Sequence, residues 1–393
     1  MIDFTLTEEQ EAIKRLAHDF AVKEIRPIAA ECDEKEESPW HVVAKAHKLG
    51  IDAAAAFPEE WGGGGMDNLT QLIMSEELHW GCAGIATCIQ ATGLAAAGVL
   101  ACGTEEQKQR YVRLFTDPDV LRLGAMGLTE PNAGSDAFSL RTTATKVDGG
   151  YVLNGTKQFI TNGGIADLHV IFASTDLSLG PAGIAVFAVE KGTPGLSMGR
   201  KEVKLGVRAS HTAQVILENC FVPTENRLGG EPGSEGAGPG ALGALAMLEH
   251  TRPGVGAGAL GIARAAFEYA LEYAGQRVQF GKPIIAQQAI AFKLADMATE
   301  IEAARFLIWK AGWMMDNHLP MKRGEGSMAK LFAGDLAMRT TVEASQILGG
   351  YGFIREYPVE KWMRDAKIYQ VWEGTAEIQR LVISRALQGR YLG

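Results

Sequence analysis

The chain has little that could crosslink it and little that could hold a metal. Five cysteines occur among 393 residues: Cys32, Cys82, Cys88, Cys102 and Cys220. The count is odd and no C-x-x-C is present, which argues against both a disulfide framework and a zinc site. The eight histidines are scattered, with no H-E-x-x-H spacing, so no metal site is expected. Reduced, mostly buried thiols in a cytoplasm are the expectation. Basic charge is also short. The 38 Lys and Arg are outnumbered by 47 Asp and Glu, giving a formal net charge of -9. Wrapping a nucleic-acid backbone needs a basic face, so nucleic acid is not expected as a partner. The N-terminus lacks a basic start followed by an apolar stretch and lacks an Arg/Ser-rich leader, so neither a signal nor a transit peptide is expected. Long hydrophobic runs are scarce. Gly81 to Gly103 is uncharged and long enough to span a bilayer, but it is largely Ala and Gly and contains Thr87, Gln90 and Thr92. Such a stretch gains little from lipid, so a helix buried in protein is expected and no membrane span.

What is present is ordinary globular material. Hydrophobic residues make up 47% and charged residues 22%, and the length allows two or three domains. Residues 1–122 read as helical. Thr7-x-x-Gln10 and Thr104-x-x-Gln107 have the form of capping boxes, and Ile13, Leu16, Ala17 and Phe20 recur at helical spacing. Gly62 to Gly65 must be a loop. From 123 to 235 the texture changes to short runs rich in Val, Ile, Thr and Phe. Thr142 to Val147, the turn Asp148-Gly149-Gly150, and Tyr151 to Leu153 predict a hairpin. His169 to Ala173, Gly183 to Val189 and Thr212 to Leu217 predict further strands of a small barrel or sandwich. Gly229 to Gly243 reads as a linker or mobile loop. Helical patterns then fill 236–393, divided into about four helices by Pro283, the 318–324 turn and Gly349 to Gly352.

Three stretches invite a functional reading. Gly256, Gly258 and Gly261 match G-x-G-x-x-G, but they lie inside an Ala-rich helical run without the strand that a dinucleotide site requires. Close helix packing is the better account. Thr129 to Asp136 follows a predicted strand and is either a ligand-facing loop or an ordinary tight turn. Glu373, before Gly374 and a periodic helix containing Ile378, Leu381 and Val382, is either a reactive acid or a partner of the helix dipole.

Taken together, Thr129 to Asp136, Phe159 to Gly163, Arg277 to Gly281, Gln346 to Gly350 and Tyr369 to Arg380 resemble the motifs of acyl-CoA dehydrogenases. Their order and spacing match over nearly the whole chain, closest to the medium- and short-chain branches. The resemblance implies an α+β multidomain fold: an N-terminal helical domain, a central β-barrel and a C-terminal four-helix bundle. It implies FAD, bound between barrel and bundle, in a homotetramer built as a dimer of dimers. By position, Met126, Leu128, Thr129, Gly134 and Ser135 would line the flavin, flanked by Phe159 and Thr161, with Thr375 and Glu377 beside it. The family often has Trp where Phe159 stands. Arg277, Phe280, Gln288, Gln346, Gly349 and Gly350 would reach the FAD of an adjacent subunit, where an Arg suits pyrophosphate.

The implied reaction is α,β-dehydrogenation of an acyl-CoA thioester, with electrons passed to an electron-transferring flavoprotein. Glu373 would remove the pro-R α-proton while the β-hydrogen leaves as hydride. Some branches carry the base at the position of Thr251, which cannot serve as one. Glu249 and Arg252 resemble the pair that binds pantetheine and orders the site. Ser135, Gly374 and Arg385 are further candidates for substrate contact. Gln90, with Ala86 and Leu94, resembles the pocket floor, and Trp372 is bulkier than the usual Tyr or Phe. Short, branched or cyclic acyl groups are therefore expected. An acyl-CoA oxidase and a non-redox lyase or acyl-CoA-binding relative are the alternatives on the same fold.

Overall fold

A computed structural model describes residues 4–231 and 241–392. The expected linker at 229–243 falls largely outside these described residues. The first third is helical: α1 (Glu8–Phe20), α2 (Ala29–Lys35), α3 (Trp40–Lys48), α4 (Asn68–Gly81), α5 (Ala83–Gln90), α6 (Thr92–Cys102) and α7 (Glu105–Val112). Both capping boxes form. The Thr7 hydroxyl accepts from the Gln10 N–H at 3.2 Å while the Gln10 side chain accepts from the Thr7 N–H at 3.1 Å; Thr104 and Gln107 repeat the pattern at 3.3 and 3.0 Å. The apolar stretch expected to form one central helix is instead two, α5 and α6. Around Ala91 the ladder tightens, and the Leu94 N–H bonds back three residues to the Ala91 carbonyl. Both helices are largely buried in protein.

The middle third holds β1 (Gly124–Gly127), β2 (Thr143–Val147), β3 (Gly150–Thr161), β4 (Leu168–Ser174), β5 (Ile184–Glu190), β6 (Leu196–Lys201), β7 (Thr212–Pro223) and β8 (Arg227–Leu228). They form one sheet in the order β6-β7-β3-β2-β4-β5-β8, with β1 parallel to β4. The β2–β3 hairpin closes through Asp148-Gly149, with Gly149 at φ 75° as a two-residue turn demands. β6 escaped sequence reading because Leu196–Lys201 is mostly exposed and carries no apolar alternation. A buried pair ties the loop after β1 to the sheet. Lys157 on β3 donates to Glu130 at 2.7 Å, and Glu130 also accepts from the Thr142 hydroxyl at 2.5 Å.

The last third comprises α8 (Ala241–Gln276), a short ribbon of β9 (Val278–Gln279) and β10 (Lys282–Pro283), then α9 (Gln288–Asp316), α10 (Glu325–Leu348), α11 (Val359–Ala366) and α12 (Ala376–Leu392). The breaks fall where Pro283, the 318–324 turn and the Gly349 to Gly352 stretch predict them. The short α11 is an addition to the four expected helices. The glycines of α8 serve packing. A Cβ on Gly261 would stand 2.3 Å from the Glu76 carbonyl oxygen of α4, and one on Gly258 would stand 3.0 Å from the Tyr369 hydroxyl. All three glycines lie well inside α8, with no strand running directly into them, so the dinucleotide reading has no support. α4, α8 and α10 thus pack closely around the turn that carries Glu373.

Candidate active site

Glu373 lies in the tight segment between α11 and α12. Its φ is 48° and that of Gly374 is 90°, so two successive residues occupy the left-handed region. For a non-glycine residue that conformation costs about 1 kcal/mol or more and persists only when its surroundings impose it. Those surroundings are specific. The Gln379 side-chain amide donates to the carbonyl oxygens of Glu373, at 3.1 Å, and Gly374, at 2.9 Å. Lys330 of α10 donates to the same Gly374 carbonyl at 2.6 Å. Thr375 then caps α12, accepting from the Ile378 N–H at 3.3 Å.

The carboxylate itself faces α8. The Thr251 hydroxyl donates to Glu373 Oε2 at 3.0 Å. Burial pushes the Glu373 carboxyl above its ordinary value; Thr251, Lys330 and Arg252 pull the other way without cancelling it. The residue as a whole is only half-buried, so the turn is reachable although the carboxyl is poorly hydrated. Lys330 is fully buried, and burial lowers its ammonium to about 8, with Glu373 the main opposing influence.

Next to Thr251 on α8, Arg252 donates to Glu249 at 2.6 Å and to the Ser327 hydroxyl at 2.8 Å. Glu249 also accepts from the N–H groups of Gly326, at 3.0 Å, and Ser327, at 3.3 Å. The pair therefore caps the start of α10 and locks it to α8. Trp372 stacks edge-on to Tyr369, with ring centroids 5.1 Å apart, and Tyr369 faces His79 at 6.2 Å. The Trp372 Nε1 and the Tyr369 hydroxyl are both buried without a partner. His79 is held neutral, its pKa lowered to about 4 by burial. Its Nδ1–H donates to the Ser75 carbonyl at 2.9 Å, and the Ser75 hydroxyl donates to Gln90 at 3.0 Å. This chain of contacts links Gln90 to the Glu373 turn.

The remaining candidates form two further groups. Met126 lies on β1 and Leu128, Thr129, Gly134 and Ser135 follow it, and the Thr129 carbonyl accepts from the Gln158 N–H at 2.9 Å, beside Phe159 and Thr161. Phe159 holds its ring 63% exposed at φ 59°. Arg277 and Phe280 follow α8, Gln288 opens α9, Gln346 lies near the end of α10, and Gly349 and Gly350 lie just beyond it; all six are exposed. The Arg277 guanidinium lies 5.5 Å from the Tyr351 ring. Phe280 is 94% exposed at φ 53°. Aromatic rings held outward by left-handed backbone call for a covering group. A Cβ would meet no atom within 4 Å at Gly134, Gly349 or Gly350, so the backbone there is open to approach. Glu377 and Arg385 are exposed on α12. Two shallow depressions elsewhere, around Trp61 and Glu105 and around Trp40 and Ile165, include none of these residues.

Sequence reasoning missed Lys330, Gln379 and the role of the Thr251 hydroxyl. A signal for Lys330 existed: it replaces an apolar residue on the stripe Ala329, Ala333 and Ala337, all fully buried.

Residues 7–117, 125–220 and 238–388 match in turn the N-terminal, middle and C-terminal domains of acyl-CoA dehydrogenase. The chain belongs to the acyl-CoA dehydrogenase family. Among individual acyl-CoA dehydrogenases it is 46% identical to the short-chain specific enzyme of Megasphaera elsdenii, over 98% of this chain and all of that one. The structure of butyryl-CoA dehydrogenase from the same organism superposes with a TM-score of 0.92 at 45% identity, covering 98% of this chain and 100% of the other. A chain from a structure described as the electron transferring flavoprotein of Acidaminococcus fermentans superposes at 0.91, with 43% identity, covering 98% and 99%. The expected arrangement of helical, β and helical regions is thus that of the acyl-CoA dehydrogenase fold. Its relatives are flavoproteins, as the exposed rings and open glycines allow here.

Proposed function

We propose that this chain dehydrogenates a short acyl-CoA thioester between Cα and Cβ, with Glu373 as the base. The observation that carries the assignment is a carboxylate on a left-handed turn, raised by burial yet open to a ligand, held by Thr251 and flanked by Lys330 and Arg252.

The cofactor in this reading is FAD. Met126 to Ser135, Phe159 and Thr161 would hold its ring system, with Thr375 and Glu377 alongside. Arg277, Phe280, Gln288, Gln346, Gly349 and Gly350 would serve the FAD of a neighbouring subunit, which implies a homotetramer or at least a dimer. When bound, the flavin supplies a two-electron acceptor for the β-hydrogen. The protein's own part is to position substrate and take the α-proton. Glu373 does so as a carboxylate. An acyl chain that expels water from the turn raises its basicity further. The Glu373 N–H is available to the thioester carbonyl, where charge develops as the proton leaves, a contribution of about 3 kcal/mol for one such donor. Glu249 and Arg252 fix α8 against α10 and so hold Thr251 in place. Ser135, Gly374 and Arg385 remain candidates for contact with the thioester and CoA. Gln90 and Trp372 limit the acyl cavity, in line with a short chain. The electron acceptor is an electron-transferring flavoprotein, a reading supported by the structural likeness reported above, and the compartment is the cytoplasm.

Anaerobic titration of the yellow protein with a panel of acyl-CoAs tests this. Bleaching of the flavin band by butyryl- or isobutyryl-CoA, and not by palmitoyl-CoA, is the expected result. A yellow protein that no acyl-CoA bleaches would refute dehydrogenation.

A further inference from the structure

We infer that Lys330, acting with Gln379, is a positioning residue that fixes the backbone turn of the base and biases Glu373 toward its carboxylate form. The inference rests on the functional reading above and adds to it.

The geometry is unusual for a lysine. Lys330 is 1% exposed, on the interior stripe of α10, and its ammonium donates to a backbone carbonyl, that of Gly374, at 2.6 Å. A buried cation without an acidic partner of its own is expensive, so a purely structural position would favour an apolar side chain. Gln379 is 0% exposed and spends its amide on the same turn, donating to the Glu373 and Gly374 carbonyls. Two buried polar side chains, from α10 and α12, therefore converge on one peptide segment. Their effect is to hold Glu373 and Gly374 in the left-handed region, where neither helix propensity nor apolar packing would keep a glutamate. The clamp is tight: a Cβ on Gly374 would stand 2.8 Å from the Gln379 amide nitrogen.

The charge matters as well. The groups acting on Glu373 are Lys330 from α10 and Arg252 and the Thr251 hydroxyl from α8. Lys330 in turn feels Glu373, Asp335, Glu377 and Arg252. Arg252 is already engaged by Glu249 and Ser327, which leaves Lys330 as the cation not committed to another carboxylate. Removing its charge raises the Glu373 pKa and moves the acid limb of proton abstraction to higher pH.

The test compares wild type, Lys330→Met and Lys330→Gln as flavin-loaded proteins. Two readouts are followed across pH: flavin reduction by butyryl-CoA, and exchange of the α-hydrogens of acetyl-CoA with deuterated solvent. Acetyl-CoA has no β-carbon, so exchange reports the base alone. Lys330→Met is expected to slow both on the order of 10–100-fold through displacement of the base, with the acid limb moved upward. Lys330→Gln, which keeps a donor but no charge, is expected to recover part of the rate while the limb stays displaced. Unchanged limbs in both variants, or failure of both to fold with flavin bound, would overturn the inference. If wild type itself neither bleaches nor exchanges, the functional reading fails instead.

Discussion

Replacing Gly261 by alanine sets two effects of opposite sign against each other. Within α8, alanine is the better helix former by about 1 kcal/mol, so local propensity predicts stabilisation. The neighbouring helix predicts the reverse. The added Cβ would stand 2.3 Å from the Glu76 carbonyl oxygen and 2.9 Å from the Trp80 nitrogen. Both are backbone atoms of α4, so no side chain can swing aside, and the helices must part by roughly 1 Å to reach ordinary contact. Overpacking of this kind costs about 1–3 kcal/mol. Parting also stretches the charged contacts that span the same interface: Arg264 to Glu76 at 2.9 Å and Arg264 to Glu77 at 2.8 Å. These are largely buried, and losing one such pair costs about 3–5 kcal/mol. A net loss of about 2–4 kcal/mol follows even after the helix-propensity gain and with only partial stretching. Thermal unfolding of the flavin-loaded protein measures it. Gly275, on the same helix with no atom within 4 Å of its would-be Cβ, is the control, and Gly275→Ala is expected to match or exceed wild type. A Gly261→Ala protein as stable as wild type would refute the close-packing account.

Glu373→Gln is expected to slow flavin reduction by roughly 10²–10⁴-fold or more while acyl-CoA still binds; near-normal reduction in a stopped-flow mixing experiment would overturn the base assignment. The same variant has a stability signature. Because folding raises the Glu373 pKa, the stability linked to that group is present below its unfolded pKa and is lost as pH rises through the folded one. The glutamine variant escapes that loss, so it is expected to gain stability over wild type as pH rises, measured by denaturant midpoints at several pH values. Glu249→Ala is expected to destabilise by about 3–5 kcal/mol because Arg252 is left buried and unpaired, whereas Glu249→Gln, which still accepts from Ser327, is expected to cost clearly less; equal midpoints for the two would contradict the capping role.

Much of the scaffold was legible because its signals are local. A capping box joins residues three apart, and both boxes form as written. A Gly in a two-residue hairpin turn needs only its own φ, and Gly149 supplies it. The uncharged stretch from Gly81 was misread as one helix because composition sets burial but not where the ladder tightens, at Ala91. β6 was missed because its exposed residues carry no apolar period. The three groups of cofactor and substrate candidates were named from motif resemblance, and the fold brings Glu373, Thr251, Arg252, Glu249 and Trp372 into one neighbourhood while leaving Arg277 and Gln346 on a separate edge.

The sequence by itself determined the order of helical and β regions and the breaks between helices, and it singled out the segment that carries Glu373. Those depend on residues within a turn or two of each other. Only the tertiary structure decided the chemical surroundings of that carboxyl. Lys330 meets Gly374 from 44 residues away and Thr251 meets Glu373 from 122. The depth of burial that raises the carboxyl arises where α8, α10 and the turn close on one another. Hydration and charge at a point depend on everything within a few ångströms of it, and sequence separation does not reveal which groups those are.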